Sequence, residues 1–83
     1  AGQKNLAIAP NPSTGLFQVN SSFEIVSGKY QVRDIQGRVI QQGLLNQTTH
    51  WELNLHNHNS GIYFLEVYDG SLPRQVFKLL KQE

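Results

Sequence analysis

The stretch GIYFLEVYDG, residues 61–70, decides how the rest of this chain is read. Tyr63, Leu65 and Val67 alternate with Ile62 and Phe64, so an extended segment here carries apolar side chains on both faces. Aromatic and β-branched residues are favoured in strands, and the run has strand length between two glycines. It is read as a central strand covered on two sides. Upstream, HWELNL (50–55) puts Trp51, Leu53 and Leu55 on one face and His50, Glu52 and Asn54 on the other. Downstream, PRQVFKLLK (73–81) opens on Pro73, the strand position that best tolerates proline. A helix over RQVFKLLKQE is the competing assignment. It ranks lower, because Val76–Phe77 favours a strand and nothing caps a helix there.

Further out, GKYQVRDIQGRVIQQG (28–43) reads as a hairpin with its turn at DIQG, where Gly37 takes positive φ and Asp34 accepts backbone N–H bonds. LAIA (6–9), LFQV (16–19) and FEIV (23–26) are three more short apolar pieces. Strands punctuated every 8–12 residues or so indicate an all-β, small antiparallel β-sandwich of about seven strands. Between the first two pieces lies PNPSTG (10–15), with prolines that hold Ala9 and Asn11 extended. Here Pro12 suits the first central position of a turn that Asn11 caps and Gly15 redirects.

The chain has 83 residues, enough for one domain with a shallow core. Residues 1–5 read as a linker remnant or expression scar and 6–83 as the domain. A start at AGQ without methionine suggests a piece of something longer. Seven basic and six acidic residues give a net charge of +1, with no basic run for nucleic acid and no apolar run of bilayer length. The one local bias is Arg74, Lys78 and Lys81 near the end.

Motifs that carry chemistry are sparse. His56 and His58 sit in an asparagine-rich loop with no cysteine in the chain and no nearby acid, so no metal site is assigned. No G-x-S-x-G elbow, phosphate-cradling glycine loop or close carboxylate pair occurs, so no catalytic residue and no cofactor are assigned. Trp51, Tyr63 and Tyr68 are candidate sugar-stacking platforms, although the first two lie in phase with core positions.

Taken in order, PNPSTG, YQVRDIQGRVI, LHNHNSGIYFLEVYDG and RQVFKLLKQ resemble the type A C-terminal sorting domain of the type IX (Por) secretion system. The resemblance runs from Leu6 to Gln82. It rests on Pro10, Asn11, Pro12, Asp34, Gly37, Arg38, Gly61, Tyr63, Lys78 and Lys81, with a lengthened spacer, LHNHNSG, before the G-x-Y element. The resemblance implies an Ig-like sandwich, without catalysis, fused to an N-terminal cargo protein in bacteria of the Bacteroidetes group. It implies passage through the periplasm, recognition by translocon and shuttle components of the outer membrane, and removal by a surface sortase. The cargo would finish at the cell surface or outside the cell, with no direct membrane insertion of the domain and no nucleic-acid partner. Arg74, Lys78 and Lys81 are the residues expected to meet the translocon, and the PNP step is expected to mark where a flexible linker becomes an ordered strand. The alternatives are a carbohydrate-binding or adhesive fibronectin-like module and a purely structural terminal domain.

Overall fold

A computed structural model describes residues 5–70 and 73–83. GIYFLEVYDG forms a strand with an antiparallel neighbour on each side. In chain order the strands are β1 (Leu6–Ala9), β2 (Leu16–Asp34), β3 (Val39–Asn54), β4 (Gly61–Asp69) and β5 (Gln75–Lys81). All pairings between them are antiparallel. The segment at the end thus forms a strand, Gln75–Lys81, and not a helix.

The strands number five where the sequence pattern suggests about seven, and the reason is continuity. β2 runs through LFQV, FEIV and KYQV without a turn, and β3 joins RVI to HWELN. Polar and glycine residues that look like strand ends, Asn20–Ser22 and Gly28, are bends inside β2. The β2–β3 register slips between Asn20 and Ile25, as at a β-bulge. Inward-facing residues are odd-numbered before the bend (Phe17, Val19, Ile25) and even-numbered after it (Tyr30, Val32).

The pairing explains how one bent ribbon makes two layers. Before the bend β2 lies between β1 and the C-terminal half of β3. After it, β2 lies between the N-terminal half of β3 and β4, and β4 pairs with β5. Phe17, Val19 and Leu53 from the first half meet Val32, Leu65, Val67 and Leu79 from the second in one core. Leu53, Leu55, Tyr63, Leu65 and Val67 are buried, as their phase requires. Trp51 is only half-buried, because β3 pairs on one side alone and the indole sits at the margin, stacked on Tyr30 with centroids 6.0 Å apart.

The expectation that β4 is covered on two sides holds for its inner face. Its outer face, with Ile62 and Phe64, is half-buried among neighbouring side chains and carries no second layer.

Gly28 sits at the fold of the ribbon, opposite both Leu45 and Asp69. A Cβ there would collide with the backbone carbonyl of Tyr68. Gly28→Ala should therefore force strands apart at the bend and cost roughly 1–3 kcal/mol. Urea unfolding followed by Trp51 fluorescence reads this directly, and an unchanged midpoint would refute the assigned bend.

Candidate functional site

One end of the sandwich gathers most of the motif positions. β2 ends there at Asp34, β4 begins at Gly61 and β5 ends at Lys81, since Tyr63 pairs with Asp34 and Gly61 with Lys81. The PNPSTG segment joins them, because Ser13 makes a parallel bridge to Lys81. The 55–60 loop closes the group, with Leu55 N–H donating to the Gly15 carbonyl at 2.7 Å.

PNPSTG works differently from a cap on its own turn. The Ala9–Pro10 and Asn11–Pro12 peptides are both cis. The Asn11 side chain reaches β5, where Nδ2 donates to the Lys78 carbonyl at 2.9 Å and Oδ1 accepts from Leu80 N–H at 3.0 Å. A side-chain amide presents one donor and one acceptor like a peptide group, so Asn11 stands in for a neighbouring strand. Ser13 continues the pairing: its N–H donates to the Leu80 carbonyl at 3.0 Å, and its carbonyl accepts from Gln82 N–H at 2.8 Å. The buried Ser13 hydroxyl, which sequence reading passed over, donates to the Leu16 carbonyl and accepts from Gly15 N–H. Gly15 has φ of 152°, and a Cβ there would strike the His56 ring. A strand, β1, already precedes this step, so PNP is not the junction between linker and first strand.

The DIQGR turn matches its sequence reading closely. Gly37 has φ of 86°, and Asp34 Oδ1 accepts from Gln36 N–H at 2.9 Å and Arg38 N–H at 3.0 Å. Arg38 Nε donates to Asp34 Oδ2 at 2.9 Å. Burial alone would raise the Asp34 pKa, but these bonds and the Arg38 charge hold it below the ordinary carboxylate value. Between this turn and the 59–63 segment lies a shallow cavity of about 230 Å³. Tyr63 is buried and donates its hydroxyl to the Asn59 carbonyl at 2.6 Å.

The three basic residues near the end do not form one cluster, because Lys81 parts from the other two. Lys78 is exposed on the outer face of β5, while Lys81 points to the inner face and is 8% exposed. Arg74 reaches Glu66 at 3.3 Å. Glu66, 6% exposed in the midst of an apolar run, is the residue the sequence pattern does not anticipate. It accepts from Arg33 Nε at 3.0 Å and from the Tyr68 hydroxyl at 3.1 Å. Arg33 also donates to the Gly37 carbonyl at 2.8 Å, which ties the turn to β4. Burial favours protonation of Glu66, yet Arg33, Tyr68 and Arg74 outweigh it and keep the pKa below the ordinary value.

Elsewhere the histidines have local duties: His50 bonds Asn20 and His56 bonds Asn54. No three of His, Cys, Asp and Glu converge among the described residues. The candidate sugar platforms are engaged as well, with Tyr68 lying 5.0 Å beneath the Lys29 ammonium.

The sequence matches a family of secretion-system C-terminal sorting domains over residues 7–82. The chain belongs to that family. A solved Bacteroides vulgatus protein of the DUF3244 family, with an immunoglobulin-like β-sandwich fold, superposes with a TM-score of 0.75. The two share 13% identity, with 95% of this chain and 96% of that one covered, so the likeness concerns the fold. No curated protein matches the sequence. This sorting domain is a C-terminal signal for type IX secretion, fused to a cargo that the system exports toward the cell surface or beyond.

Asn11→Ala removes two bonds across β5 and should cost about 1–2 kcal/mol. Amide hydrogen exchange at Leu80 should accelerate more than at core positions of β4; equal protection in both proteins would show that Asn11 does not guard this edge. Acid should weaken the fold through Glu66 and Asp34. Their lowered pKa values add stability that is complete above the ordinary carboxyl range, about 4–4.5, and disappears as pH falls through the folded values. Glu66→Gln should lower Tm at pH 7 and flatten the decline between pH 5 and 3. A decline as steep as in the parent protein would contradict this.

Proposed function

We propose that the folded sandwich itself, rather than a linear tag, is what the type IX apparatus reads in the periplasm before moving the cargo through the outer-membrane translocon. One observation carries this reading. Asn11, Asp34, Gly37 and Tyr63 are spent on internal hydrogen bonds or backbone geometry. Motif residues used in this way preserve a shape and leave recognition to exposed side chains around it. Shuttle components would then meet the domain after folding, and a surface sortase would separate it from the cargo. Of the basic residues near the end, the exposed Lys78 is the one best placed for contact, Arg74 is partly held by Glu66, and Lys81 is buried.

The test is a reporter fused ahead of residues 6–83 and expressed in a bacterium with an intact type IX system. The reporter should leave the cell with the domain attached and stay in the periplasm when residues 78–83 are deleted. A Gly28→Ala fusion, with its sequence motifs intact but its bend disturbed, should export less as its fold weakens. Full export of an unfolded variant would show that a linear signal suffices.

A further inference from the structure

The outer face of the four-stranded half has a character that linear sequence conceals. Strand register aligns Lys78, Phe64, Arg33 and Val39 in one row and Val76, Glu66, Gln31 and Gln42 in the next. A third row aligns Tyr68, Lys29 and Leu44. This face thus carries Lys29, Arg33, Lys78 and, through its bond to Glu66, Arg74, against the single carboxylate of Glu66. That is an excess of three positive charges in a chain whose net charge is +1. Among the described residues, β1, the N-terminal half of β2 and the C-terminal half of β3 contain no lysine or arginine, and β3 adds Glu52 there. The domain is electrically two-sided.

Apolar groups are set among the charges. Leu44 is 79% exposed, and Val76, Val39 and Leu80 are exposed to lesser degrees. The arginines are held in place. Arg33 donates to Glu66, to Gly37 and to Gln31 Oε1 at 3.1 Å, which leaves two of its five N–H groups uncommitted on a partly exposed side chain. Glu66 also holds Arg74, whose side chain is 57% exposed.

We propose that this face docks an acidic, partly apolar protein surface, and that through it the type IX apparatus engages the domain; the second clause rests on the sorting function proposed above. Positioned guanidinium groups match carboxylates in a way that mobile lysine clusters, the usual device for anionic lipid, do not. Four strands about 4.8 Å apart and some seven residues long offer on the order of 400 Å². A stable complex uses roughly 800 Å² per partner, so the contact is transient and steered by charge.

The paired variant Lys29→Gln with Lys78→Gln tests the face without touching the Glu66 pairs. Its control, Ala7→Glu with Thr49→Glu, makes the same change in net charge at exposed positions outside the four-stranded half. Binding to poly-glutamate should weaken roughly tenfold in the lysine variant and between 50 and 500 mM salt, and hold in the control. In reporter fusions the lysine variant should be exported several-fold more slowly at unchanged Tm, with the control at the parent rate. Parent-rate export of the lysine variant overturns the docking role even where sorting itself is intact. If the parent fusion is not exported, the sorting function fails, and poly-glutamate binding alone decides the face: equal binding by both variants overturns it. Equal or tighter binding to phosphatidylglycerol vesicles would overturn a protein partner in favour of a lipid surface.

Discussion

A ribbon too long for its domain governs this structure. Nineteen extended residues span about 60 Å, whereas the longest dimension of the molecule is 39 Å. β2 has to fold back, and β3 has to fold with it, because the two are paired along nearly their whole length. The fold-back turns one hairpin into both layers of a sandwich and returns Asp34 to the end from which Leu16 set out. β4 and β5 then extend one layer and β1 caps the other. The core comes from residues far apart in sequence, so its stability depends on a bend held by a glycine at which any Cβ would press on the Tyr68 carbonyl.

The same bend creates a problem of edges. A sheet edge invites pairing with other chains, and natural proteins shorten, charge or cover it. β1 is four residues long. β5 is longer and is covered by Asn11 and Ser13, in a segment whose prolines lack N–H groups. In a chain exported beside many others, such cover has value beyond stability. PNPSTG is thus the clasp between the first layer and the last strand of the second.

The fold was legible wherever alternation was local. HWELNL follows from period-two patterning, the DIQGR turn from glycine at positive φ, and the strand at 75–81 from Pro73 at its start and the β-favouring Val76–Phe77 pair. Strand count was not legible, because Ser21, Ser22 and Gly28 have the same composition in a bend as in a loop. The target of Asn11 was hidden for another reason: its partners lie 67 and 69 residues away. Glu66 looks like a polar interruption of an apolar strand, and only the order β2–β4–β5 places Arg33 and Arg74 over it. The sequence pattern singled out Arg74, Lys78 and Lys81 because they are neighbours in the chain. On a strand, however, positions 78 and 81 face opposite ways.

That alternation also bears on what a sorting signal made of a folded domain can be. Lys29 and Arg33 are four residues apart on β2, Arg74 and Lys78 four apart at β5, and each pair shares a face. β4 lies between them with Glu66 as its one carboxylate on that face, so two weak local signals become a single positive surface when the sheet forms. In the unfolded chain those charges are dispersed and the net excess is one. A receptor that responds to the assembled surface therefore reads completion of folding and identity in the same contact. The two-sidedness needs no residue beyond those that already build the sheet, because Glu66, the group that neutralises part of the face, also fixes the arginines that give it direction.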